Sequence, residues 1–297
     1  MPETRFDRQK VIRYLVWTFA LAYAIQTGVG ILYRNGQQAL GQLVMAAMMF
    51  VPTLGVLLAG GRLTGLGWKP RIRRNVKAVL FAWLAPVALT ALGAALYFCI
   101  FPGHFDLTGS GMADSLGQQA LEQLAAQGIS YPMYVLIAGI GCLTYAPLLN
   151  MFLALGEEIG WRGFLYPQLK ARFGRRRGWL LGGFIWGAWH WPLIWCIGYE
   201  YGAGYPGFPV VGMLLFSAIT VGWGILHDRL YERTGSIWLP SLLHGALNAA
   251  ATLPAAVCIS CTGVFRLLGP APNGLIAGLP FLTLAGALLA RANRDQC

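Results

Sequence analysis

The sequence predicts an all-α, polytopic membrane protein with about eight transmembrane helices. Three observations carry that prediction. Of 297 residues, 57% are hydrophobic and 11% are charged, where a soluble domain carries about 25% charged residues. The apolar residues gather in runs of about 20, the length a helix needs to cross a bilayer. The 22 lysines and arginines fall almost wholly in short segments between those runs. The net charge of +11 therefore reads as a topology signal that also attracts anionic lipid head groups. It does not read as a nucleic-acid groove, so nucleic acid is excluded as a partner and membrane lipids are expected.

The first apolar run, 11–32, follows Arg8, Lys10 and Arg13. It has no convincing small-x-small cleavage signal and is long enough to span, so it is read as a helix and not as a signal peptide. Span 2 is 40–60. A basic loop follows, with Arg62, Lys69, Arg71, Arg73, Arg74 and Lys77. Span 3 is 78–101. The connection 102–130 has acids but no Lys or Arg, and its amphipathic stretch 112–126 predicts a surface helix.

Span 4 begins near Tyr131 and leads into Glu157 and Glu158. Its helix is expected to reach Tyr166, where Pro167 interrupts it. Lys170, Arg172 and Arg175 to Arg177 come next. Span 5 is 178–197, and the connector 198–209 is rich in Gly, Pro and Tyr. Span 6 is 210–226. A charged loop with Asp228, Arg229, Glu232 and Arg233 follows, and His227 reads as an interfacial residue at its edge. Span 7 is 236–257, span 8 is 274–290, and the tail carries Arg291 and Arg294.

Eight spans place both termini on one side. Nineteen of the 22 Lys and Arg lie on that side, against Arg34 and Arg266 opposite and Arg162 within a span. Both termini are therefore expected in the cytoplasm. The chain reads as one transmembrane domain, 1–297, in a bacterial plasma membrane. Among six cysteines, Cys258 and Cys261 alone have suggestive spacing. A disulfide, a metal site and chance spacing are all open for them.

Charges inside spans are expensive and mark function by default. They are Glu157, Glu158 and Arg162 on span 4, His190 on span 5 and His244 on span 7, with Asn248 as a polar neighbour. At about 1.5 Å per residue, Glu157 and His190 each lie about 20 Å from the nearest basic edge, and His244 about 17 Å. Unrelated polar residues have no reason to share a depth, so one buried site is expected, reached from the cytoplasm. Glu158 and Arg162 are i and i+4 and can pair on one face. Glu157 points about 100° away and is the freer carboxylate, a candidate general base. His244 and Asn248, also i and i+4, suit an oxyanion. Gly178, Gly182, Gly183 and Gly187 form two small-xxx-small patterns that permit close helix packing around the site.

The combination Glu157-Glu158-x-x-x-Arg162, Trp186-x-x-x-His190 and His244-x-x-x-Asn248, on separate membrane helices, resembles the CAAX-protease and bacteriocin-processing (CPBP, or Abi) family. That family includes the type II CAAX prenyl endopeptidases. The resemblance covers a core of 131–250. It implies an intramembrane endopeptidase in which Glu157 activates water, Glu158 and Arg162 support it, His190 helps to bind the water, and His244 with Asn248 stabilises the oxyanion. Trp186 departs from the family's usual Phe, and both are large aromatics.

Glu157, His190 and His244 could also hold Zn²⁺ with one position open, but no His-Glu-x-x-His motif is present. The reading favours glutamate-activated water without a required metal, acting on a peptide or membrane-protein substrate of prenylated or bacteriocin type. The rival readings are a non-catalytic scaffold or bacteriocin-immunity protein on the same fold, and a proton-coupled transporter. The chain's own end, Arg294-Asp295-Gln296-Cys297, is not a CAAX box, because its Cys is last.

Overall fold

The computed structural model describes residues 5–116 and 118–292. Arg294 and the terminal 294–297 segment lie outside them. The helices are α1 (Arg8–Arg34), α2 (Gln38–Met48), α3 (Val51–Leu58), α4 (Val76–Ile100), α5 (Ser110–Leu116), α6 (Gln118–Ala126), α7 (Tyr131–Leu143), α8 (Ala146–Gly160), α9 (Tyr166–Ala188), α10 (Trp191–Ile197), α11 (Val210–Thr234), α12 (Trp238–Ala256), α13 (Val264–Leu268) and α14 (Leu279–Arg291). A π-helical turn, Trp161–Leu165, joins α8 to α9. Among the described residues there is no β-strand; an isolated bridge links Phe105 and Cys258.

Local sequence sets the helix ends. Asp7 caps α1 by accepting the Lys10 amide at 3.1 Å. Ser130 caps α7, with Pro132 in its first turn. Gly198 and Gly235 close α10 and α11 with φ of 63° and 62°, a left-handed conformation that glycine adopts without a Cβ clash.

By length and composition, four helical stretches are long and apolar enough to cross a bilayer, or up to six if each bent pair is one span. The described chain is thus an all-α, polytopic membrane protein. Several expected spans are broken. Span 2 is α2 and α3, bent by 42°, with Pro52 in the first turn of α3. The expected surface helix is the pair α5 and α6, and span 8 shrinks to the 13 residues of α14. Large apolar side chains point outward on α4, α7 and α8, among them Leu84, Leu92, Leu136, Ile140 and Leu149. That is the arrangement lipid contact calls for.

Two expectations are corrected. Pro167 does not interrupt the helix: the π turn Trp161–Leu165, closed by the Tyr166 amide on the Trp161 carbonyl, lies directly before it and carries the helix past a residue that has no amide hydrogen to donate. The reversal comes seven residues later at Gly174, whose φ is 78° and ψ 166°. Residues 228–233 are not a loop but the last turns of α11. Their charges are held in place by α9, as Lys170 bonds Asp228 and Glu232, and Arg175 bonds Glu232.

The interior is built from helix pairs: α12 lies along α8 and α4, and α11 along α9 and α14. Glycine makes the closest approaches possible. A Cβ at Gly183 would stand 2.3 Å from the Val221 Cα, and one at Gly187 2.4 Å from the Ser217 Cα. These are the small-residue contacts expected between membrane helices.

Candidate functional site

Glu157 and Glu158 sit near the end of α8, where Gly156 and Gly160 let the helix press on the α2–α3 break. A Cβ on Gly156 would meet the Met49 carbonyl at 2.6 Å, and one on Gly160 would meet Pro52 at 2.4 Å. The π turn begins directly after Gly160. A π turn adds a residue to the helical register and is frequent at functional sites.

The two carboxylates have different company. Glu158 and Arg162 are fully buried and bonded, Nη1 to Oε1, at 2.9 Å. The same Oε1 lies 2.8 Å from His244 Nδ1. The guanidinium lies over the Trp186 ring at 4.2 Å and the Tyr166 ring at 5.0 Å. Glu157 is also buried, but its partners are neutral: Trp161 Nε1 at 3.1 Å and Trp186 Nε1 at 2.8 Å, both donating to Oε2. It therefore has a partner in its own helix, an indole rather than a cation. Among the described residues these bonds all fall on Oε2, and the side chain lines the cavity.

His190 lies at the break between α9 and α10. Its Nδ1 bonds the Trp186 carbonyl at 3.0 Å, which leaves Nε2 for the cavity. Its ring stacks on Tyr199 with centroids 6.0 Å apart. The break is stitched by α1: Gln26 donates to the Trp189 carbonyl at 2.7 Å and accepts the Leu193 amide at 3.2 Å. Tyr23 donates to the Ala188 carbonyl at 3.0 Å. Pro192, in the first turn of α10, has no amide hydrogen to continue the helix. Spacing gave no hint of this role for Gln26. The available signal was a buried amide in an otherwise apolar span.

A cavity of about 280 Å³ is lined by Glu157, His190, His244 and Asn248, together with Trp186 and Tyr199. The structure thus brings the sequence-predicted residues of three helices to one wall, with Glu158 and Arg162 directly behind it. Asn248 is exposed to the cavity. Trp186 is more than a bulky stand-in for Phe, since its N–H holds Glu157 and its face covers Arg162.

His227 is the residue that sequence reasoning misplaced. It is not interfacial: His227 is 1% exposed and Asp228 fully buried. The helix α11 runs on past the expected edge, and Trp179 donates to Asp228 at 2.6 Å. The His227 ring lies 5.6 Å from that of His244. Its Nδ1 bonds the Trp223 carbonyl at 2.7 Å, and its Nε2 is a buried orphan.

The residues expected from sequence to be able to hold a metal, without requiring one, were Glu157, His190 and His244. Among the described residues, the buried trio whose donor atoms lie within 4.8 Å of one another is Glu158, His227 and His244. Its carboxylate already accepts from Arg162 and His244, so a guanidinium stands where a metal's charge would be. Cys258 and Cys261 are joined as a disulfide, beside His104.

The cavity does not lead toward the basic segments, as the depth argument expected. Arg162, Tyr166 and His227 close that end. It abuts a second cavity at the opposite end of α12, and Tyr199, Glu200, Asn248, Ala251 and Asn273 line both.

Comparison with known proteins agrees with the motifs. Residues 134–250 match the family model described as type II CAAX prenyl endopeptidase Rce1-like. A stretch of 52 residues is 38% identical to CAAX prenyl protease 2 of Methanococcus maripaludis; it covers 17% of this chain and 19% of the relative, so the chain spans about a fifth of that protein's length. The segment that carries Glu157, His190, His244 and Asn248 is therefore a type II CAAX prenyl endopeptidase Rce1-like region within an integral membrane protein.

Proposed function

We propose that the protein is an intramembrane endopeptidase that hydrolyses a peptide bond with water activated by Glu157. The observation that carries the proposal is the single cavity bearing the Glu157 carboxylate beside two imidazoles and a carboxamide. Glu157 takes the proton from a water oriented with His190 Nε2, and the hydroxide attacks the scissile carbonyl. Glu157 then passes the proton to the leaving amine. The indoles of Trp161 and Trp186 fix Oε2, so the other oxygen keeps its orientation.

His244 and Asn248 hold the oxyanion. His244 bonds Glu158 through Nδ1, so its Nε2 donates when the ring carries both protons. Glu158 is then a positioning residue for His244, and Arg162 for Glu158. In this reading Glu157 itself takes the proton of the water, and no metal is required. The setting we propose is a bacterial plasma membrane, and the substrate is a membrane-associated peptide or protein.

The test compares membranes expressing wild type with membranes expressing Glu157→Gln, by quantitative mapping of new protein N-termini. Glu157→Gln is expected to abolish a set of cleavages while the protein still inserts and unfolds like wild type. Identical terminal maps would sink the proposal and leave the scaffold reading in its place.

A further inference from the structure

The second cavity, about 600 Å³, is walled by Tyr199 and Glu200, the last turn of α12, the 258–262 loop, Arg266 and the 269–271 turn. Ser260, Thr262 and Arg266 on its rim are exposed. Its lining offers hydroxyls and amides from Thr252, Ser260, Asn248 and Asn273, and one charge of each sign, Glu200 and Arg266. Such a surface, part polar and part apolar, with donors and acceptors along its length, suits an extended peptide.

At the other end the site is sealed. Trp161, Arg162 and Tyr166 are fully buried and His227 nearly so, and beyond them Asp228 is tied to Lys170 and Trp179. That sealed end carries the basic segments, which hold most of the lysines and arginines, whereas the open end has Arg34 and Arg266. Positive charge marks the cytoplasmic side.

We infer that the site is served from the extracytoplasmic face, and that its substrate is an extended peptide segment exposed there rather than a chain terminus presented in the cytoplasm. The nature of the substrate rests on the endopeptidase reading. The sidedness does not, and it is tested without catalysis. Ala251→Cys, Arg266→Cys and Arg74→Cys are placed singly in a background lacking Cys99, Cys142, Cys196 and Cys297. Intact cells are treated with a membrane-impermeant maleimide.

Cysteines at 251 and 266 are expected to react in intact cells, and one at 74 after permeabilisation alone. Repeating the labelling in Glu157→Gln is expected to give the same pattern, which separates access from activity. Reaction at 251 that requires permeabilisation, or no reaction at 251 in either state, would overturn the inference.

A different observation carries a second proposal. Three helix ends meet at the basic face: the start of α4 and the ends of α11 and α14. They enclose a groove of about 410 Å³ with Lys77, Arg229, Arg233 and Arg291 above and Phe81, Leu226, Leu230 and Leu284 below. Among the described residues one of the four cations has a carboxylate partner, Arg229 with Glu232 at 3.6 Å. Cations at the head-group level over an apolar wall match a diacyl phospholipid with an anionic head group. We propose that one such lipid occupies this groove.

The test is the unfolding midpoint of the purified protein in detergent with added phosphatidylglycerol, phosphatidylcholine or inorganic phosphate. Phosphatidylglycerol is expected to raise the midpoint of wild type but not of Lys77→Gln/Arg233→Gln/Arg291→Gln, and the other two additions to have no such effect. An equal rise with phosphatidylcholine or phosphate, or a rise retained in the triple variant, would refute it.

Discussion

Arg162 and Glu158 form an ion pair with both side chains at 0% exposure. Removing one partner of such a pair strands a buried charge and costs about 3–5 kcal/mol. Arg162→Met is expected at the upper end of that range, because it also ends the contact of the guanidinium with the Trp186 ring at 4.2 Å, worth about 0.5–2 kcal/mol. Glu158→Gln keeps an acceptor for His244 Nδ1 but leaves Arg162 uncompensated, so it falls in the same range. Combining the two removes both charges. The double variant should lie within about 2 kcal/mol of wild type, since replacing a whole buried pair is often near neutral. The cycle thus predicts a coupling of at least about 4 kcal/mol, above the roughly 0.5–3 kcal/mol usual for touching residues. It is measured by unfolding in mixed micelles of rising SDS fraction, followed by tryptophan fluorescence. If the two single costs simply add, the pair is not the buried, mutually dependent unit described, and the reasoning fails.

Four further outcomes are expected. Trp186→Phe removes one of two N–H donors on Glu157 while keeping an aromatic face over Arg162; a hydrogen bond to a charged group is worth about 1.5–3 kcal/mol, so the unfolding free energy should fall by about that amount and kcat/KM should fall with it. Gln26→Leu orphans the Trp189 carbonyl and the Leu193 amide, at about 1–3 kcal/mol each, and cleavage should fall along with stability. Gly187→Ala forces a methyl to 2.4 Å from the Ser217 Cα; α9 and α11 must part, at about 1–3 kcal/mol, seen as an earlier unfolding midpoint. Chelation with EDTA should leave cleavage intact, and stoichiometric zinc whose removal stops cleavage would contradict the proposed chemistry.

Much of the site was legible because membrane sequences advertise polar residues. Against lipid, each buried Glu, His or Arg stands out, and i to i+4 spacing assigns partners within a helix. That is why Glu158–Arg162 could be paired from sequence, and why Glu157, His190, His244 and Asn248 could be grouped by depth. Partnerships between helices were not legible. The bond from His244 to Glu158 joins residues 86 apart, and the indole of Trp186 reaches Glu157 from 29 residues away. Neither leaves a periodic trace.

The sequence by itself determined the class, a bundle of apolar helices, because the cost of unsatisfied backbone in lipid permits little else. It also marked Glu157, Glu158, Arg162, His190, His244 and Asn248 as residues that gather, because strongly polar groups within apolar spans are costly. The tertiary structure alone decided three things: that the helix passes Pro167 and turns at Gly174, that His227 lies inside, and which end of the bundle the cavity reaches. Each depends on how helices stack, which close glycine contacts and side-chain closures set at long range. Depth along a helix is a local count of residues. The direction in which a site opens is a property of everything packed around it.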